Sequence, residues 1–226
     1  MSRLVQKVFE DHDNWISKFV IDGQEYGGSY DVFNDPRIKQ FWENFPDAKK
    51  ILELGCLEGG HTVQLAEKAK VVAIEGKKEN FDKAKEIIRI HKNNFHPDII
   101  QANLETFSLT NMGRFDVVFC VGVLYHLKHP LSLLQRISEV SDGIFIWTHC
   151  CNPKNIDTEV DGYKGRIHKE PSIDGPVTGM SHESFWPTLT ELVRMITDCG
   201  YRLCQLIKLE DTEDGDCKVT ISVKRD

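Results

Sequence analysis

The chain is predicted to be an α/β protein built on a mostly parallel sheet, and three observations carry that prediction. Short apolar runs of strand length alternate with amphipathic helical segments between residues 50 and 150. A glycine-rich turn joins the first of these strands to the first of these helices. Near the C-terminus the pattern changes to two strand-like segments flanking an acidic turn, as in an antiparallel hairpin.

Residues 1–49 read as a helical lead-in, interrupted by the turn-rich stretch 21–30 (IDGQEYGGSY). The core spans residues 50–150. Its strands are expected at 51–54, 71–74, near 99–101, 115–120 and 143–147, with helices over 62–69, 78–93 and 130–140. Strand and helix alternating in this way imply parallel strands joined by right-handed crossovers. Residues 151–226 open with a long polar loop to about residue 183, followed by a helix over 189–199 and a hairpin of strands 202–209 and 218–223. All 226 residues are expected to form a single domain.

Composition narrows the function. The net charge of −7 is spread along the chain, which weighs against non-specific binding of a phosphate backbone. No apolar run reaches the roughly 20 residues a membrane helix needs. Residues 1–10 carry no apolar segment, so no secretory leader is expected. The seven cysteines, at 56, 120, 150, 151, 199, 204 and 217, form no C-x-x-C pair. Several stand in apolar runs, and a reducing cytoplasm suits them.

The most informative segment is ILELGCLEGGHT, residues 51–62. Gly55 permits a tight turn after the strand, and Gly59 and Gly60 let backbone N–H groups approach a ligand. A dinucleotide loop requires G-x-G-x-x-G, but Leu57 stands where the middle glycine belongs. The pattern present is E-x-G-x-x-x-G, from Glu53 through Gly55 to Gly59. Glu75 then ends the next strand, where a carboxylate can accept two ribose hydroxyls; a solvated glutamate is the plain alternative. Asn103 follows the third strand and is either an adenine contact or an ordinary turn residue.

With the segment FDVVFCVGVLYHLKHP, residues 115–130, these motifs resemble class I S-adenosylmethionine-dependent methyltransferases. The likeness covers about residues 48–150 and includes the relatives of the bacterial enzyme that carboxymethylates wobble uridine in tRNA. It implies a Rossmann-like sheet of seven strands with helices on both faces, the last strand antiparallel and inserted beside its partner. It also implies S-adenosyl-L-methionine as cofactor, with S-adenosyl-L-homocysteine as product. The residues expected to hold the cofactor are Glu53, Gly55, Cys56, Gly59, Gly60, Thr62, Glu75, Gly76, Asn103, Leu104, Cys120 and Val121.

Methyl transfer from a sulfonium is an in-line displacement, so alignment and exclusion of water dominate. A hydroxyl acceptor also needs a base. Tyr125, His126 and His129 are expected after the fourth core strand, and Thr148 and His149 after the fifth. His126 and His149 are the candidate bases, although His126 can equally be a helix-start residue. Tyr125 is expected to shape the pocket, and His129 to lie at the surface. No carboxylate stands where metal-dependent relatives hold an ion, and His149, Cys150 and Cys151 lack a fourth zinc ligand at a usual spacing, so no metal is expected. Acceptor contacts are expected from Tyr26, Tyr163, Arg166 and Trp186, though Trp186 and Phe185 can serve as anchors for the following helix.

These residues imply methyl transfer to an oxygen or nitrogen of a small molecule, such as a sugar or a natural-product intermediate. The alternatives are a tRNA-modifying methyl- or carboxymethyltransferase and a catalytically silent cofactor-binding module.

Overall fold

The computed structural model of the chain describes residues 2–91 and 95–225. The chain forms two compact units, Met1–Ala102 and Asn103–Asp226.

The first unit opens with helix α1 (Ser2–Glu10) and the strands β1 (Ser17–Ile21), β2 (Gln24–Gly27) and β3 (Tyr30–Asp31), which form a small sheet in the order β2-β1-β3. The expected helical lead-in is therefore half sheet. Alternation of buried and exposed positions along SKFVI is the period of a strand with one covered face. Asp22 and Gly23, both at positive φ, close the β1–β2 hairpin. Helix α2 (Pro36–Asn44) has Pro36 in its first turn, and the Asp35 side chain accepts the Arg37 N–H as its cap.

Then come β4 (Lys50–Leu54), α3 (Gly60–Leu65), β5 (Lys70–Glu75), α4 (Lys78–Ile90) and β6 (Asp98–Gln101). Four of the five β4 residues are buried, the continuous apolar run of a strand covered on both faces. Residues 92 and 93, expected at the end of the α4 helix, lie outside the described residues. Val5 and Val8 of α1 and Phe19 and Ile21 of β1 share one apolar cluster with Val63, Ile87 and Ile88. The N-terminal segment is thereby packed on the α3 and α4 helices.

The second unit holds β7 (Val117–Val121), α5 (Pro130–Val140), β8 (Gly143–Cys150), β9 (Thr158–Val160), β10 (Tyr163–Lys169), β11 (Glu183–Pro187), α6 (Leu189–Asp198), β12 (Leu203–Asp211) and β13 (Cys217–Lys224). The expected long loop 151–183 instead contains β9 and β10, which join β11 in a three-stranded antiparallel sheet. Thr188 caps α6 by accepting the Glu191 N–H.

The main sheet has seven strands in the order β12-β13-β8-β7-β4-β5-β6. The pairs β4–β5, β5–β6 and β7–β8 are parallel, whereas β13 runs antiparallel to both β8 and β12. The last strand is thus inserted between its hairpin partner and β8. Gly55 lies in the first strand–helix turn of the core, as expected.

One buried ion pair fixes the first unit. Glu58 is fully buried and accepts the N–H groups of Ile16 and Ser17 at 2.9 and 2.7 Å. The Lys83 ammonium, itself buried, stands 3.6 Å from Glu58 and 2.8 Å from Glu79. It also donates to the Asn14 carbonyl and lies over the Trp15 ring. Truncating one partner of a buried pair leaves the other charge uncompensated, so Glu58→Ala is expected to cost about 3–5 kcal/mol. Urea unfolding followed by circular dichroism measures it, and a loss below 1 kcal/mol contradicts this role.

Candidate active site

In the first unit the chain leaves β4 at Leu54 and turns through Gly55 at φ 67°. Leu57 takes φ 52°, a left-handed conformation that is strained for a residue with a Cβ. Its N–H donates to one oxygen of Glu75 at 2.9 Å, while the other Glu75 oxygen accepts the Lys77 N–H at 2.9 Å. Glu75, at the end of β5, thereby ties the glycine loop to the start of α4. Gly59 caps α3 at φ 81°, and a Cβ there would come within 3.3 Å of Ala84. At Gly60 a Cβ would meet Val32 at 2.6 Å. Only glycines fit this close crossing of backbone over α4 and the N-terminal segment.

Two carboxyl groups stand behind the loop. Glu53 is buried; its Oε2 accepts the Thr62 hydroxyl at 2.6 Å, and its Oε1 has no partner among the described residues. Burial, reinforced by the nearby Glu75 charge and opposed by Thr62, pushes the Glu53 carboxyl up to about 8. Glu75 is also raised, by burial above all, with the backbone N–H groups of Lys77, Leu57 and Gly76 and the Asn80 side chain acting against it. A buried acid kept high by desolvation, with one oxygen unspent, is chemically suited to a cationic amino group. Cys56 is buried beside them and its thiol is raised, by burial first.

Next to this loop stands a cluster that was not expected from the sequence. Asp35 accepts from Arg37, Tyr30 and His61, with His61 Nε2 at 2.8 Å. The hydrogen bonds from His61 and Arg37 overcome burial and hold the Asp35 carboxyl well below its usual range. Asp35 before Pro36 is a local signal from which the acid of this cluster could be read, whereas its pairing with His61, 26 positions on, carries none.

In the second unit, the Asn103 side chain accepts the Glu105 N–H at 2.9 Å and forms a local turn. Leu104 is largely buried, and its carbonyl accepts from Arg136 at 2.6 Å. Cys120 and Val121 end the buried strand β7; burial pushes the Cys120 thiol up to about 12.

A one-turn 3₁₀ helix, Leu124–His126, follows β7. Tyr125 is stacked with His149 at 4.3 Å between centroids and packs edge-on to Trp147 and Trp186. His149 lies within β8, since that strand runs on to Cys150 and beyond its expected end. Burial pushes the His149 imidazole down to about 4, helped by the Lys218, His126 and His168 charges. At neutral pH it is uncharged and a weak proton acceptor. His126 differs, because its Nδ1 is 2.8 Å from the buried Glu170 carboxylate. His129 is exposed and paired with Asp161 at 3.0 Å.

Of the residues expected to meet an acceptor, Arg166 and Trp186 adjoin this histidine cluster. The Arg166 guanidinium stacks on Trp186 at 4.7 Å and is paired with buried Asp216. Trp186 is also stacked on His168 and donates its indole N–H to the Tyr125 carbonyl at 2.8 Å. Tyr163 is elsewhere: it is buried, and its hydroxyl donates to Asp198 of α6 at 2.6 Å. Tyr26, in the first unit, stacks on Phe9 at 5.0 Å and donates to Gln24.

The family model of a methyltransferase domain matches residues 46–193. The chain belongs to that family, within the class I S-adenosylmethionine-dependent group its motifs resemble. The N-terminal domain of EvdMO1, crystallised with S-adenosylhomocysteine bound, superposes with a TM-score of 0.89 at 28% identity, over 99% of this chain and 97% of that one. A second structure of that domain, obtained in the presence of S-adenosylhomocysteine and D-fucose, matches equally well over 99% and 96%. The tRNA U34 carboxymethyltransferase of Histophilus somni is 26% identical over 72% of this chain and 48% of its own length. The ubiquinone biosynthesis O-methyltransferase of Vibrio parahaemolyticus is 32% identical over 38% of this chain and 37% of its own. The chain spans about half the length of the tRNA-modifying relative. No helix among the described residues is long and apolar enough to cross a membrane.

The raised Glu53 carboxyl makes stability depend on pH. Its folded value, about 8, lies above the ordinary 4.5, so its contribution is complete below about pH 4.5 and lost as pH rises towards 8. In cofactor-free protein, the urea midpoint of the wild type is expected to fall across that window relative to Glu53→Gln. Parallel pH curves for the two proteins would remove the assignment.

Proposed function

We propose that this protein transfers the methyl group of S-adenosylmethionine to an oxygen or nitrogen of a small molecule, a sugar or natural-product intermediate. The observation that carries the reading is the buried Glu53 carboxyl, whose Oε1 has no partner among the described residues, behind a loop whose glycines admit no side chain. The full-length match to a domain with S-adenosylhomocysteine bound supports it.

When bound, the cofactor supplies an electrophilic methyl group on a sulfonium. Glu53 takes the amino group of its methionine part, with Thr62 holding the carboxylate in place. The Gly55, Cys56, Gly59 and Gly60 backbone lines the same part. Glu75, at the end of β5 and tied to the loop through Leu57 and Lys77, is assigned to the ribose hydroxyls, and Gly76 follows it. Asn103, Leu104, Cys120 and Val121 are assigned to the adenine and the sulfur side. His126 takes the proton of an acceptor hydroxyl, and Tyr125 with Trp186 and Arg166 gives the acceptor an aromatic and cationic wall. A hydroxyl on a sugar suits such a wall, because its C–H faces pack on rings while its oxygens need donors.

A tRNA-modifying activity is the second reading, and the similarity to the U34 enzyme is what favours it. The net charge of −7 weighs against a nucleic-acid grip. Radiolabelled cofactor offered with hexoses, with other small hydroxyl compounds and with bulk tRNA separates the two; label in tRNA alone overturns the small-molecule assignment.

Glu75→Ala is expected to weaken S-adenosylhomocysteine binding by about 1.5–3 kcal/mol in calorimetry. Unchanged affinity in a folded variant removes Glu75 from the ribose site.

For a hydroxyl acceptor, His126→Ala is expected to lower turnover roughly 10²–10⁴-fold with cofactor affinity nearly unchanged. His149→Ala is expected to lose less, because its imidazole is held down at about 4. The reverse order in steady-state kinetics would make His149 the base.

A further inference from the structure

We infer that Glu170 is the positioning residue for His126, holding one tautomer of its ring and stabilising the imidazolium that forms when it takes a proton. The inference rests on the reading of His126 as the proton acceptor, and Glu170 belongs to a segment that showed no motif.

Glu170 directly follows β10, and its N–H donates to the His182 carbonyl at 2.9 Å, closing the segment that leads back to β11. Its carboxylate is 3% exposed. Oε1 stands 2.8 Å from His126 Nδ1 and 3.4 Å from the Ser184 hydroxyl of β11. A carboxylate so far removed from water needs such partners. The returning segment packs down on the pair: at Gly179 a Cβ would lie 2.8 Å from the His126 carbonyl oxygen, 3.2 Å from the His126 Cβ and 3.5 Å from Glu170 Oε1. The turn holding His126 is stitched to β11 as well, by Phe185 N–H to the Leu127 carbonyl and by the Trp186 indole to the Tyr125 carbonyl. Both halves of the pair are therefore fixed by backbone. His129 and Asp161 make the same contact at the surface, with side chains 56% and 37% exposed, where such a pair contributes little.

A carboxylate on Nδ1 places the proton there and the lone pair on Nε2. Nε2 then takes the proton of the acceptor hydroxyl. The oxygen forms its bond to the methyl carbon while the carbon–sulfur bond breaks, the bonding pair staying on sulfur. The positive charge lost by the sulfonium reappears on the imidazolium, next to Glu170, and leaves as a proton to solvent. Titratable groups near His126 among the described residues include Tyr125 in its own turn, His149 on β8, on which Lys218 and Asp216 act, and His168 of β10 across Trp186. Glu170 brings an anionic oxygen into direct contact with the His126 ring.

The test is nitrogen NMR of the histidine side chains in the full chain saturated with S-adenosylhomocysteine, with the His126 signals assigned from His126→Gln. The wild type is expected to show the Nδ1–H tautomer. Glu170→Gln is expected to lower the His126 titration midpoint by about one pH unit or more, the shift an adjacent opposite charge produces. Glu170→Asp, which keeps the charge with a shorter reach, is expected to fall between the two and provides the same readout where Glu170→Gln does not fold. A midpoint and tautomer unchanged in a variant that still binds S-adenosylhomocysteine overturn the inference. Labelled methyl transfer to hexoses then separates it from the reading beneath it. His126→Ala retaining full transfer, with the NMR shift intact, would sink the base assignment and leave the pairing in place.

Discussion

The buried carboxylate of Glu58 is the constraint on which the first unit depends. It stands inside the glycine loop's own sequence, yet its side chain turns away from the loop and captures two backbone N–H groups at the start of β1. Lys83, from the middle of α4, balances its charge. One residue therefore joins the N-terminal segment, the loop and the helix beneath it. A pair of opposite charges this deep costs desolvation, and replacing both by well-packed apolar groups is often neutral in other proteins. What the ion pair supplies here is register, because an apolar contact would not specify which two N–H groups of the β1 strand face the loop.

The same loop shows how charge is distributed around it. Glu58 is satisfied by two donors and an ammonium, and Glu75 by the backbone N–H groups of Leu57, Lys77 and Gly76 with the Asn80 side chain, while among the described residues Glu53 has one hydroxyl for two oxygens. Three acids within one strand–helix–strand unit thus differ in how fully they are neutralised. The one left incomplete is the one raised to about 8. Incomplete satisfaction of a buried polar atom is a cost to the fold, and such costs are tolerated where a ligand completes the set.

The parallel core was legible because its signals are local. Buried strands such as β4 and β7 are unbroken apolar runs, and α5 begins at Pro130 and ends at Val140, as its periodicity implies. The glycine loop and Glu75 could be read for the same reason: turn chemistry and spacing lie within a few residues of one another. Illegible were the features made by pairing at a distance. The small sheets β1–β3 and β9–β11 contain short, partly exposed strands, and their sequences read as helical lead-in, turn or polar loop. His149 was placed after a strand because Thr148 and His149 break the apolar run, although β13 continues to pair with β8 through Cys150. Glu170 meets His126 across 44 positions, and no periodicity marks such a pair.

The reversal of β13 has a consequence for the order in which the second unit can be completed during synthesis. Because β13 runs against β8, the turn before it emerges at the end of β8 where Cys150 pairs with Cys217. Asp216 in that turn then accepts the Asn152 N–H and an Asn155 amide, and holds Arg166. The Asn152, Asn155 and Arg166 partners in segments 151–155 and 163–169 are made 64, 61 and 50 residues earlier than their latch. On the ribosome, where chains lengthen at about 5–20 residues per second, they wait several seconds for it. Until then β8 is an open strand edge with a valine- and isoleucine-containing partner still to come, so for this unit an interval open to mispairing or capture by chaperones is set by β13.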